Sequence, residues 1–315
     1  MKFHLNYSPK KPSFQIDHKS SILLTGSCFA VNIGNLLAEY KFKTHVNPDG
    51  ILFNPNSIYN SLNNILQNNK TTERFILERE GLFYSFLHHT SFSSADKTDL
   101  IKKLNSENDI AHQFLKSANI LIITFGTAFS YYHKKLAETI ANCHKQAADT
   151  FEKKLSEVND IVTSYSNLIQ ELKILNPALK IVFTVSPVKY LKDGVEENNL
   201  SKSTLVLSIH KIIAENLNCF YFPAFELVND DLRDYRFYKE DLAHPNQMAI
   251  EYIWQKFSEC YFSSKTLELN EQIHKLNQAL NHRQMQENSL ENEKLKAFIE
   301  KQKSEIRKLN SEIEF

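Results

Sequence analysis

Glycine is scarce in this 315-residue chain, which holds six, together with one Trp and three Met. The shortage excludes the usual phosphate loops. A P-loop needs GxxxxGK[ST] and a dinucleotide site needs GxGxxG, whereas Gly26 is followed only by Gly34 and no Lys stands ready to meet phosphates. Cysteine is also sparse: Cys28, Cys143, Cys219 and Cys260 are widely spaced and form no CxxC. That spacing argues against a zinc cluster or a disulfide framework and fits reduced thiols. No HExxH occurs, so no metal is expected. Neither sign of charge dominates, since Lys+Arg and Asp+Glu each count 37. A net charge of zero lends no support to a nucleic-acid partner or a polybasic membrane contact. No apolar run approaches the roughly 18–20 residues that cross a bilayer, and the N-terminal MKFHLNYSPKKPSFQIDHKS lacks the apolar core of a signal peptide. These absences predict a soluble, cytoplasmic protein without nucleic-acid or membrane partners.

What is present is an apolar fraction of 42% and an aromatic fraction of 11%, enough for a sizeable core. Four apolar runs, SILLT (21–25), ANILIITFG (118–126), KIVFTVSP (180–187) and NCFYFPAFE (218–226), read as buried strands, with KFKTHV (41–46) as a weaker fifth. Helical patterns alternate with them. Phe29, Ile33, Leu36, Leu37 and Tyr40 share one face, residues 149–177 form a helix stopped by Asn176-Pro177, and residues 201–217 form another. Continuous apolar strands alternating with helices predict a three-layer α/β/α sandwich with a mainly parallel sheet. Residues 50–117 interrupt the alternation after the second strand and include a hairpin turning at Glu80-Gly81. We read this stretch as an insertion that walls the site.

The chain changes character near residue 264. Residues 265–315 contain no Gly or Pro and are dense in Glu, Lys, Gln and Asn. Leu269, Ile273, Leu276 and Leu280, then Leu295, Ile299, Ile306, Leu309 and Ile313, follow a seam with Gln302 at one seam position and a break around Asn281–Asn292. The pattern predicts a C-terminal coiled-coil or long amphipathic helix serving self-association as a homo-oligomer, with residues 1–264 as the main domain.

In an open parallel sheet, sites gather at the carboxyl ends of the strands. Ser27 stands where the first strand ends and a helix begins. Its bland role is to cap that helix; its chemical role would be that of a nucleophile, with its own N–H and that of Cys28 facing an oxyanion. Asp241 and His244, in the loop after the last strand, could orient and supply the base such a serine needs. Cys28 keeps a thiolate alternative open. His88, His89 and Ser91 line the pocket or make only local polar contacts, and Arg233, Asp234 and Arg236 contact substrate or, the reading we prefer, form a salt-bridged cluster that braces the DxxH loop.

The string TGSCFA at 25–30, with VNPDGILFNP (46–55), LIITFGTAFSYY (121–132), ANCHK (141–145), TVSPVKYLKDG (184–194), SKS (201–203) and DDLRDYRFYKEDLAHPN (230–246), resembles the ordered blocks of the GSCFA domain family over roughly residues 1–262. That family is similar to the SGNH, or GDSL-like, hydrolases. The resemblance implies a flavodoxin-like α/β/α fold and ester hydrolysis or acyl transfer, with Ser27 as nucleophile and Asp241 and His244 as its partners. It further implies Gly50 as an oxyanion N–H donor and Gly126 as the glycine of the third block. There the usual GxND is replaced by Gly126-Thr127-Ala128-Phe129, so the Thr127 hydroxyl or backbone N–H, or another residue such as Asn142, would stand in for the missing Asn. The implied substrate is a small-molecule or glycan ester, with no cofactor. The alternative is a non-catalytic ligand-binding or scaffold protein assembling through its tail.

Overall fold

In the computed structural model, residues 5–281, 290–311 and 313 are described. A five-stranded sheet runs through the centre, built from β1 (Ser21–Gly26), β2 (Lys43–Val46), β3 (Ile120–Phe125), β4 (Lys180–Val185) and β5 (Cys219–Tyr221). Its spatial order is β5-β4-β3-β1-β2 and every pairing is parallel. This is a doubly wound order, and its direction reverses between β1 and β3. The α/β fold expected from the alternating pattern is the fold observed.

Because strand side chains alternate between faces, each strand feeds two cores. Leu23, Leu121, Ile123, Phe125, Ile181 and Phe183 are buried beneath α2 (Pro55–Gln67), α3 (Lys97–Ser117), α4 (Val158–Leu175) and α5 (Val195–Glu215). Ile22, Leu24, Ile120, Ile122 and Val182 are buried on the opposite face beneath α1 (Cys28–Glu39) and α6 (Gln247–Tyr261).

The region from 50 to 117 is only partly an insertion. Ile58, Leu62 and Ile65 of α2, with Ala111 and Leu115 of α3, belong to the main core, so both helices cover the sheet and α3 is the crossover into β3. What stands apart is the hairpin Ile76–Arg79/Leu82–Ser85, whose turn residues Glu80 and Gly81 both have positive φ, as a tight primed turn requires. Another departure lies at 129–155. Phe151–Leu155, expected to open a long helix, instead pairs with Phe129–His133. Phe151 is buried with Phe86 and Ile140, and the gain from that burial overrides the helical look of its charged neighbours. The helix itself starts at Val158.

The tail forms α7 (Ser264–Asn281) and α8 (Leu290–Leu309). Leu269, Ile273 and Leu276 are buried together with Ile306 and Ile313, and Tyr40 and Ile299 pack against them. The seam expected to meet a partner chain thus meets a second helix of its own chain, held at high effective concentration. Leu280 and Leu309, assigned to the seam, are exposed. The expected break around Asn281–Asn292 lies largely outside the described residues. The Asn277 side-chain amide donates to the Glu39 carbonyl (3.0 Å) and the Tyr40 hydroxyl lies 3.3 Å from His274 Nδ1, fastening α7 to the end of α1. Among the described residues no helix is long and apolar enough to cross a membrane.

Ile273 is 0% exposed, so Ile273→Ala is expected to cost about 2–5 kcal/mol in the tail. Amide hydrogen exchange should show protection falling in α7 and α8 together. A loss confined to α7 would mean that the two helices do not support each other.

Candidate active site

The sheet's reversal point places the ends of β1 and β3 side by side, with Gly26 opposite Thr124. The approach is so close that a Cβ on Gly26 would lie 2.2 Å from the Thr124 carbonyl oxygen, and φ there is +135°. Only glycine tolerates both conditions. Gly26 N–H donates to the Asn47 side-chain oxygen (2.8 Å), and Leu52 N–H donates to the Gly26 carbonyl (3.0 Å). The loop 47–52 is thereby laid across the end of β1. The hairpin braces this loop: His88 sits between Ser85 Oγ (2.8 Å) and Asp49 (3.4 Å), and His89 N–H donates to the Asp49 carbonyl. Satisfied polar contacts therefore describe His88.

Ser27 caps α1, its Oγ accepting from Phe29 N–H at 3.3 Å, and the residue is 0% exposed. The bland role read from sequence is thus occupied. Cys28 follows at the first position of the helix. Burial raises its thiol pKa above the ordinary value, against the pull of its own and Phe29's N–H groups and of Lys202 and Lys239. The helix N-terminus does not deliver a thiolate here, because desolvation wins.

After β5 the chain passes through a short helical turn (Ala224–Glu226) and a wider one (Leu227–Leu232) before the DxxH loop. Asp241 Oδ2 lies 2.6 Å from His244 Nδ1, while Oδ1 accepts the N–H groups of Ala243 and His244, both at 2.9 Å. These backbone donors, and then the imidazole, push the Asp241 pKa down to about 2. Leu242 takes a left-handed φ of 55° to close the turn, and Asn246 caps α6 through Ala249 N–H. Lys189 N–H donates to the Ala243 carbonyl (3.0 Å), joining the loop to the segment that follows β4. The hydroxyl of Tyr190, the next residue, reaches Gly126, which Ser27 Cβ also approaches. Among the described residues no hydrogen bond links the Ser27 hydroxyl to His244. Arg236 and Asp234 form an ion pair with each other at 2.8 Å.

The expected oxyanion donors are turned elsewhere. Gly50 N–H donates to the Asn47 carbonyl (2.7 Å), and Gly126 and Thr127 N–H both donate to the Phe53 carbonyl (2.7 and 3.0 Å). Ser27 N–H donates to the Thr124 carbonyl (3.2 Å). The Thr127 hydroxyl pairs with Ser201 Oγ (3.1 Å) and accepts from Phe129 N–H. Asn142 is committed to the insertion, donating to Thr90 Oγ1 and accepting from His144 N–H.

Two residues missed in the sequence stand at this edge. Lys202, 2% exposed, donates to the Gly126 and Ser186 carbonyls (2.6 and 2.7 Å). Burial pulls its pKa down to about 7, whereas the two carbonyls favour the ammonium. The signal was a lysine in register with the buried Leu205, Ile209 and Ile212 of α5. Tyr190 is the other: its hydroxyl is buried and has no hydrogen-bond partner among the described residues.

The model of the GSCFA family matches residues 21–257. The chain belongs to the GSCFA family. No curated protein gives a significant match. Solved structures similar to this GSCFA protein include an acetyl xylan esterase (Est2A) from the rumen bacterium Butyrivibrio proteoclasticus, at 11% identity and a TM-score of 0.41 over 79% of this chain and 64% of that one. An active-site mutant of a family two carbohydrate esterase from Clostridium thermocellum matches at 11% identity and a TM-score of 0.38, over 79% and 64%. A family 3 carbohydrate esterase from Talaromyces cellulolyticus matches at 8% identity and a TM-score of 0.37, over 80% and 98%. The GSCFA chain thus spans less than two thirds of the first two of these proteins. Likenesses this distant assign no residue a role.

Lys202→Met would strip both carbonyls of their donor, at about 1–3 kcal/mol for each unsatisfied group, measurable by urea unfolding. Asp241 has a folded pKa below the ordinary value of about 3.9. Its contribution to stability is therefore complete above about pH 4 and lost as the pH falls towards 2. Melting curves across that window should decline less steeply for Asp241→Asn than for wild type.

Proposed function

We propose that this GSCFA protein is a serine esterase or acyl transferase, with Ser27 as nucleophile, His244 as base and Asp241 as its orienting carboxylate. The observation that carries the reading is the 2.6 Å contact between Asp241 and His244 Nδ1. It holds one ring nitrogen as donor and leaves Nε2 as the acceptor, the tautomer a general base needs. The loop bearing it is joined to the segment after β4 through Lys189 N–H and the Ala243 carbonyl, and the match to the GSCFA blocks supports the same assignment.

For Ser27 to act, its Oγ must leave Phe29 N–H and turn towards His244 Nε2. Nε2 then takes the hydroxyl proton as Oγ attacks the ester carbonyl. The tetrahedral intermediate collapses, the His244 proton passes to the departing alcohol, and water or an acceptor alcohol releases the acyl group. The acyl group we favour is a small one such as acetyl, and it lies outside the immediate surroundings of Gly126, where even one added Cβ would stand 2.9 Å from Tyr190 Oη and 3.0 Å from the Phe53 carbonyl oxygen. A cavity of about 280 Å³ is lined by Lys189, Arg233, Asp234, Tyr235 and Tyr238, and Ser27, Asp241 and His244 are not among its lining residues; the alcohol portion of the substrate is a small molecule or a glycan.

The full burial of Ser27 and its engagement as a cap favour the competing reading, a non-catalytic ligand-binding domain. Labelling with a fluorophosphonate separates the two. The adduct is expected at Ser27, absent from Ser27→Ala and retained in Cys28→Ala. His244→Ala should lower turnover of aryl acetates by about 10²–10⁴ while the protein stays folded. A folded wild type that neither labels nor hydrolyses would leave the binding reading in place.

A further inference from the structure

The edge of the sheet is short of donors for a developing oxyanion. The third-block Asn is absent, and the N–H groups of Ser27, Gly50, Gly126 and Thr127 all point at chain carbonyls. One strong donor beside Ser27 has nothing to donate to. The Tyr190 hydroxyl is sealed from solvent and has no hydrogen-bond partner among the described residues. It faces the Cα of Gly126, where an added Cβ would lie 2.9 Å from the phenol oxygen and 3.4 Å from Ser27 Cβ. The phenol oxygen, the Phe53 carbonyl oxygen (3.0 Å from the same point) and Ser27 Cβ thus crowd one side of Gly126, and only glycine lets them converge there.

The phenol is also held in place. Tyr190 N–H donates to Asn198 Oδ1 (2.9 Å), its ring meets Phe53 edge-on at 5.7 Å, and the Lys202 ammonium lies 5.6 Å from the ring centroid. Lys202 in turn grips the Gly126 carbonyl, so one ammonium supports both the ring and Gly126. An unpaired buried hydroxyl costs about 1–3 kcal/mol; Ser61, Thr124 and Thr184 carry others, and Tyr190 differs from them in converging with Ser27 on Gly126. Burial keeps the phenol protonated far above neutral pH.

We propose that Tyr190 is a catalytic residue whose hydroxyl donates a hydrogen bond to the oxyanion formed at Ser27, taking the place of the missing Asn. The inference rests on the esterase reading above. As the Oγ–carbon bond forms, the carbonyl π pair moves onto oxygen, which accepts the Tyr190 O–H without taking its proton. The Ser27 proton goes to His244 Nε2. When the C–O bond to the leaving group breaks, the pair returns to the carbonyl and His244 protonates the alkoxide. Cys28 N–H, at the first position of α1, is the second donor. Lys202 acts through position, by holding Gly126 and supporting the ring.

The test compares wild type with Tyr190→Phe, using p-nitrophenyl acetate for turnover and a fluorophosphonate for the labelling rate at Ser27. Tyr190→Phe is expected to raise or keep its melting temperature and to keep KM while kcat falls about 10²–10³-fold, with labelling slowed in parallel. A merely structural tyrosine would not split kcat from KM in this way. If Ser27 labels and turns over within about threefold of wild type in Tyr190→Phe, the donor role is overturned while the nucleophile stands. If wild-type Ser27 itself neither labels nor turns over, the esterase reading falls and the donor role falls with it. Should Tyr190→Phe not fold, 3-fluorotyrosine at position 190 supplies a more acidic phenol of nearly the same shape. Its kcat is expected to shift from the wild-type value, and an unchanged kcat overturns the proposal.

Discussion

A lysine with no carboxylate beside it, among the described residues, holds the working edge of this protein together. The Lys202 ammonium is buried and is satisfied by the carbonyls of Gly126 and Ser186, the residues that follow two adjacent central strands. Parallel strands end with carbonyls that lose their ladder partners, and a cation lying beneath two of them closes both strand ends at once. The order of the edge follows from that grip. Gly126 is placed against Ser27, the segment after β4 is drawn in, and Tyr190 is set over the junction.

The same crowding commits the backbone groups around the candidate site. The loop after β2, the end of β3 and the start of α1 converge where the sheet order reverses, and each satisfies its own backbone groups on the others. Ser27 caps its helix, while Gly50, Gly126 and Thr127 donate to neighbouring carbonyls. Internal satisfaction stabilises the fold and removes donors from any incoming substrate. Tyr190 is one of the buried polar groups left out of that arrangement, together with Thr124 and Thr184 on the adjacent strands.

Much of the fold was legible because apolar runs and helix periodicity are local signals. The strands at 21–26, 120–125 and 180–185 lie where continuous β-branched and aliphatic runs put them. The strand Phe151–Leu155 was not legible, because three charged residues disguise a segment whose pairing with Phe129–His133 is long-range. The roles of α2 and α3 were likewise hidden. Their apolar stripes could be counted in sequence, but whether they cover the main sheet or a separate insertion depends on where the chain goes between them. For the tail, the seam was readable and its partner was not, since a heptad pattern looks the same whether it is filled by another chain or by α8.

At the candidate site, the chemistry-bearing residue types announced themselves by spacing. An Asp three residues before a His in a turn can meet it through purely local geometry, and a Ser between a strand and a helix can always cap. The sequence alone therefore determined the Asp241–His244 couple, the position of Ser27 at the sheet's carboxyl edge and the need for glycine at a sharp strand-to-helix turn. Only the tertiary structure decided which N–H groups are spent on neighbouring carbonyls, that Lys202 faces inward beneath two strand ends, and that Tyr190 reaches Gly126. Hydrogen-bond partners far apart in sequence are chosen by packing, and packing is a property of the whole folded chain.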